Sequence, residues 1–222
     1  MTGSDGGGRV VAVSRLFQVR ETDRPGYLTG IDKRPVDGPV PVGELGVEGD
    51  RQVDREHHGG PDKAVYAYAQ EDLAWWAAEL GRDLAPGLFG ENLTTTGVDV
   101  TGAVIGERWA VGEHLLLEVT MPRTPCYKFA HRMGEPRWIK RFTAAGRSGA
   151  YLRVLRPGPV AAGDTVRVTD RPAHGVTIGA TFLDPQPEAM LALRRAGEAG
   201  EVRLAQPVLD RIGFVLREEP GS

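Results

Sequence analysis

The chain has 222 residues, 41% of them hydrophobic and 26% charged, with a formal net charge of −3. That balance belongs to a folded globular protein and excludes disordered and fibrous classes, and so small a charge gives no global pull toward nucleic acid or an anionic membrane. No apolar run approaches the roughly eighteen residues of a membrane span, and a single cysteine cannot make an internal disulfide, which fits a reducing cytoplasm.

Met1 to Arg9 is Gly- and Ser-rich without the apolar stretch of a secretory signal, so residues 1–9 read as a flexible leader. Val10 to Val13 is β-branched and predicts the first strand. Thr29 to Val53 is dense in Gly, Pro and Val. Pro35, Pro39 and Pro41 would break a helix there, so short β pieces between turns are expected. Ala64 to Ala69 predicts a further strand with Tyr66 and Tyr68 on one face.

The clearest helix runs from Gln70 to Leu80. Leu73, Trp76, Ala77 and Leu80 recur at helical spacing, and Gly81 supplies the stop. Strands are expected at Val104–Val111, His114–Met121, Tyr151–Leu155 and Thr165–Thr169. Cys126 to Phe142 has room for one or two short helices interrupted near Gly134 and Pro136. Many short strands with Gly/Pro turns and few helices predict a mostly-β protein built on a closed barrel, spanning residues 10–183. Pro187–Ala196 and Ala205–Leu216 then form a small helical appendage (residues 184–217) before a short tail at 218–222. At about 40 residues that appendage is too small to fold independently.

Three clusters carry candidate chemistry. In His57-His58-Gly59-Gly60-Pro61-Asp62-Lys63, paired glycines admit close backbone approach, and N–H groups beside His and Lys suit an anion. A solvated turn with incidental histidines explains the same residues. In Phe89-Gly90-Glu91-Asn92-Leu93-Thr94, Asn92 can donate and accept, and Glu91 can orient a base or ring. A structural turn before a strand is the alternative. In Arg123-Thr124-Pro125-Cys126-Tyr127-Lys128, Pro125 ends an apolar strand and nearby cations favour a thiolate, the nucleophilic and metal-ligating form. A small core filler is the competing account of that cysteine.

Other chemistries fit less well. One cysteine and five scattered histidines do not supply the paired ligands of a structural zinc site or the four thiolates of an iron–sulfur cluster. No strand-linked G-x-G-x-x-G or G-x-x-x-x-G-K-[ST] is present. A nucleophile system of Cys126, His58 and Asp62 stays open at the level of sequence.

Taken in order, the stretches Gly30–Pro35, Gly46–Arg51, His58–Ala64, Phe89–Leu93, Ile105–Glu107 and Arg123–Lys128 resemble the MOSC domain, the module also found at the C-terminus of molybdenum-cofactor sulfurases. More narrowly, they resemble its stand-alone bacterial YiiM-type branch. The similarity runs from about Val10 to Thr169, and the C-terminal helices are similar to the three-helix segment that follows the barrel in that branch. The resemblance implies a β-barrel that holds molybdenum cofactor (molybdopterin), with the Cys126 thiolate as a ligand to molybdenum; a soft thiolate suits that metal. It makes Lys33, Arg34, Lys63, Arg123 and Lys128 candidates for the cofactor's phosphate. It makes His58, Gly59, Gly60 and Asn92 candidates for the pterin's polar edges.

The activity implied is two-electron reduction of N-hydroxylated compounds, such as N-hydroxylated purines, with Glu91 or His58 supplying a proton. Without a flavin, NAD or iron–sulfur motif in the chain, a separate reductase is expected to return the electrons. The helical segment is a candidate surface for that donor or for a homodimer. A non-enzymatic cofactor carrier, or a sulfur carrier using a Cys126 persulfide, needs the same cysteine and is the alternative.

Overall fold

The computed structural model of the protein describes residues 7–50 and 60–217. The strands in chain order are β1 (Gly8–Leu16), β2 (Arg20–Glu21), β3 (Leu28–Thr29), β4 (Lys33–Pro35), β5 (Val40–Gly43), β6 (Gly46–Val47) and β7 (Val65–Ala69). They continue as β8 (Leu93–Thr96), β9 (Arg108–Val111), β10 (Leu115–Pro122), β11 (Ala150–Arg156), β12 (Gly158–Val160) and β13 (Thr165–Asp170). The helices are α1 (Gln70–Leu80), α2 (Tyr127–Met133), α3 (Trp138–Ala145), α4 (Ile178–Leu183), α5 (Pro187–Glu198) and α6 (Gln206–Arg217).

The principal sheet runs β13-β9-β10-β11-β7-β8-β1, and pairing of β1 with β13 closes it into a barrel. Closure removes the unpaired edges that an open sheet of short strands would present. Neighbours in the barrel are antiparallel except β7 and β8, which run parallel because α1 carries the chain back between them. β4 extends the sheet along β1, while β12, β5 and β6 make a small second sheet. The expected barrel with peripheral helices is therefore the fold observed.

The predicted helix at Gln70–Leu80 is α1, and Gly81 ends it in the left-handed conformation at φ 63°. The short β pieces expected after Thr29 are β4 to β6. The segment after Cys126 forms α2 and α3, each stopped by a left-handed glycine, Gly134 and Gly146. The strand expected from Val104 starts only at Arg108. Gly106 takes φ 87° and Val104 makes a single bridge to Thr177, so residues 104–107 form a turn. α4 was not expected; it begins where the Thr177 hydroxyl accepts the Ala180 N–H. Among the described residues, no helix is long and apolar enough to cross a membrane.

Two apolar cores result. The first fills the barrel with inward-facing Val, Leu, Ile and Trp109, and takes in Met190 and Leu193 of α5 and Val208 and Ile212 of α6. The C-terminal helices thus share the barrel's own core. The second is aromatic and lies outside the barrel wall, where Trp76, Phe89, Phe129, Trp138 and Phe142 pack edge-to-face with ring centroids 5.0–6.4 Å apart for most pairs. Tyr151 on β11 touches both cores.

Candidate functional site

β10 ends at Pro122, and the next turns carry the cysteine cluster. Arg123 folds inward and is buried. Its guanidinium donates to the Phe89 carbonyl oxygen at 2.8 Å and lies 3.9 Å from the centroid of the Phe129 ring. One arginine therefore joins the cysteine loop to the Phe89-Gly90-Glu91 loop and to the aromatic core. Its pKa is raised: burial opposes this, and the negative forms of Tyr66, Tyr151 and Cys126 outweigh it. Burial in turn pushes the phenols of Tyr66 and Tyr151 up, with the Arg123 charge opposing it.

Cys126 is the residue capping the N-terminus of α2, with extended backbone at φ −132°, and its side chain is half-buried. Its thiol lines a cavity of about 470 Å³. This is within the size range of small-molecule and cofactor sites. β10 and its following loop contribute Met121, Pro122 and Thr124 to the walls, and β11 contributes Tyr151. Ile139 and Thr143 come from α3, Thr181 and Phe182 from α4, and Val208 and Arg211 from α6. The cavity occupies the seam where the barrel core and the aromatic core meet. Its charged lining residues are Lys63 and Arg211; no Asp or Glu lines it among the described residues.

Lys63 reaches the cavity from the single-turn helix Pro61–Lys63, the described part of the His-Gly-Gly cluster. That turn is pinned to the barrel. Thr120 on β10 donates to the Asp62 carbonyl at 2.7 Å, and buried Arg153 on β11 pairs with the Asp62 carboxylate at 3.0 Å. Arg153 also pairs with Glu118 at 3.2 Å. Gly60 precedes the turn at φ 100°, a conformation that favours glycine. His58 and Gly59 lie outside the described residues.

The Glu91-Asn92 cluster is buried and fully engaged. The Glu91 carboxylate accepts the Gly87 N–H at 2.6 Å, the Phe89 N–H at 3.0 Å and the Thr94 hydroxyl at 3.1 Å. Gly87 itself needs to be glycine: it sits at φ 84°, and a Cβ there would meet the Lys33 carbonyl oxygen at 2.7 Å. Burial raises the Glu91 pKa despite those hydrogen bonds. The Asn92 oxygen accepts the Tyr66 N–H at 3.1 Å, and its NH₂ donates to the Ser14 carbonyl at 3.2 Å and to the Asp50 carboxylate at 2.7 Å. Lys33 pairs with the same Asp50 oxygen at 2.7 Å. Neither Glu91, Asn92 nor Lys33 lines the cavity.

Arg34 lies over the Phe17 ring at 3.6 Å and faces Asp32 at 3.6 Å, while the Lys128 ammonium sits 4.9 Å from the Tyr27 ring centroid. Both are outside the cavity. Of the residues expected to hold a ligand, the structure brings together Cys126, Lys63 and, from behind, Arg123. Sequence reasoning missed Arg211, Tyr151, Thr143 and Thr181. The only sequence signal for Arg211 was its place one residue before Ile212 on an amphipathic helix, a position that reads as solvent-facing.

A closed mixed barrel, a cysteine at the start of the helix that follows β10 and a helical segment sharing the barrel core are what the sequence comparisons also bring together. The MOSC domain family model matches residues 54–167. YflK of Bacillus subtilis (strain 168) is 36% identical over 161 residues, 72% of each chain. The chain therefore belongs to the MOSC domain family. A protein from Gibberella moniliformis named "Reductase" is 37% identical over 162 residues, which cover 71% of this chain but 29% of that one. The crystal structure of YiiM from Geobacillus stearothermophilus superposes with a TM-score of 0.75 at 27% identity, covering 94% of this chain and 99% of its own. Coverage of 94% reaches into the C-terminal helical segment.

Proposed function

We propose that the protein binds molybdenum cofactor through Cys126 and reduces N-hydroxylated compounds with electrons received from a separate reductase. The observation that carries the reading is the cavity: its one thiol faces a pocket whose charged lining is cationic, in a family that also contains a protein named for reductase activity. The residues fit the group. A half-buried thiol supplies a soft donor, the volume suits a cofactor with a small substrate beside it, and Lys63 and Arg211 suit its phosphate.

The chain's own residues then divide the work. Arg123, permanently charged beneath the cysteine loop, favours the thiolate form of Cys126 and fixes the loop against Phe89. Tyr151 lines the cavity and is hydrogen-bonded to Arg123, which ties the wall of the cavity to the cysteine loop. Phe182 and Val208 give it an apolar side. When bound, the cofactor supplies the two-electron reducing centre, and the protein orients it. Glu91 acts in this reading by shaping the loop that receives Arg123, since both of its oxygens are already hydrogen-bonded. Most of the Gibberella protein lies outside the match, which accords with a domain whose electron supply comes from elsewhere.

The test is the molybdenum content of protein purified from a host verified to make the cofactor, with Cys126→Ala in parallel. Near-stoichiometric metal in the parent and little in the variant supports the reading. Metal in neither overturns it and turns attention to persulfide chemistry at Cys126. With metal present, turnover of an N-hydroxylated purine separates a reductase from a carrier.

A further inference from the structure

The cavity wall contributed by α6 has a charge that no described residue balances. Arg211 is half-buried, lines the cavity, and makes no hydrogen bond or ion pair with a described residue. It stands in contrast to the other well-shielded arginines. Arg123, Arg132 and Arg153 each have a carbonyl or carboxylate partner at 3.2 Å or less. Withdrawing a guanidinium from water without a partner is costly, and such groups are ordinarily paired. The turn of α6 that carries Arg211 is anchored, because its neighbours Val208 and Ile212 are buried in the barrel core. Cys126 lines the same cavity.

We propose that Arg211 is the anion-recognition residue of the Cys126 cavity, so that the C-terminal helix is part of the site and selects ligands carrying a carboxylate or phosphate. This deepens the cofactor-binding reading, and the anion belongs either to the cofactor's phosphate or to an acidic group on the substrate. The guanidinium fork matches both bidentately.

The first experiment uses the cofactor-free protein. Cys126 is the chain's one cysteine, so alkylation reports on that thiol alone. Iodoacetate and iodoacetamide both react by attack of the thiolate sulfur on the CH₂ carbon with departure of iodide; they differ in the carboxylate. The ratio of their rates therefore cancels changes in thiolate fraction and in access. In the parent the ratio is expected about tenfold above that of a small reference thiol, and Arg211→Ala should lower it about three- to fivefold. Arg211→Glu should lower it further, and Arg211→Lys should keep most of it. Inorganic phosphate should slow iodoacetate in the parent and not in Arg211→Ala. Equal ratios in the parent, Arg211→Ala and Arg211→Glu, all folded by circular dichroism, would overturn the proposal.

Molybdenum content of the same variants assigns the anion. Metal lost from Arg211→Ala places the cofactor's phosphate there; metal retained with charge selectivity lost places an acidic group of the substrate there. A parent that carries no molybdenum defeats the cofactor reading alone, and the alkylation ratio still judges Arg211.

Discussion

The Glu91-Asn92 loop and the Cys126 cavity lie on either side of Arg123 and spend their polar groups in opposite ways. In the loop, each side-chain oxygen and amide has a partner at 2.6–3.2 Å, and those partners are backbone groups or residues of β1, β8 and the turn at Asp50. In the cavity, the Arg211 guanidinium has no hydrogen bond or ion pair with a described residue. Buried polar groups that are satisfied internally hold structure, while those aimed at space are available to a ligand. The lesson is that a polar motif at a turn can serve the site by building its floor without touching what binds there.

Substitutions test that division, and the loop should respond in stability where the cavity responds in ligand. The largest effect is expected from Glu91→Ala, which strands the Gly87 and Phe89 N–H groups in an apolar setting and should cost about 3 kcal/mol in urea unfolding. Asn92→Ala should cost about 2 kcal/mol, because it unpairs the Tyr66 N–H and the Ser14 carbonyl together. A contact residue for the pterin would instead lose metal with stability unchanged, so the two measurements made on one variant decide between the roles.

Asp32 gives a pH-dependent test outside the cavity. Burial raises its pKa, but the Gln18 hydrogen bond and the charges of Arg132, Arg34 and Arg20 outweigh this and hold it below the ordinary aspartate value. Its contribution is therefore complete above that ordinary value and is lost as the pH falls through the lowered one. Asp32→Asn should cost about 1 kcal/mol at neutral pH, a figure discounted for the exposure of Arg20 and Arg34, and should flatten the acid limb of the stability curve. An acid limb unchanged from the parent would remove Asp32 as its source. The smallest stability change, within about 0.5 kcal/mol, is expected for Cys126→Ser, since a half-buried thiol outside the barrel core contributes little packing. That variant should nonetheless lose most of its molybdenum.

Much of the fold was legible because its signals are local. A β-branched run marked β1, Tyr66 and Tyr68 on one face marked β7, helical spacing with Gly81 marked α1, and prolines excluded helix between Thr29 and Val53. The turn at Gly106 and helix α4 were not legible, since each depends on what it packs against: Gly106 faces Val202 and Pro172, and α4 closes over β10 and α3. The candidate site was legible in its cysteine and in Lys63, where charge sits close to the functional residue in sequence. Lys33, Arg34, Asn92 and Lys128 were candidates through the family resemblance; the structure shows each with an intramolecular partner or ring contact and none of them lining the cavity. Arg211 lies 85 positions beyond Cys126 in the numbering, and only the packing of α6 against the barrel joins them.

The two cores also divide the chain's indole rings. Trp76 and Trp138 are buried in the aromatic core with Trp75 at its margin, and Trp109 alone is enclosed by the barrel, its ring nitrogen donating to Glu107 at 2.8 Å. Each core therefore carries its own fluorophore. A protein in which Trp109 is replaced by Phe would emit almost wholly from the aromatic side, next to the α3 residues that line the cavity. Emission from that variant would report filling of the pocket, and emission from the complementary variant would report the barrel. The molecule is thereby equipped to show, optically and without a label, whether its two halves loosen together or one at a time.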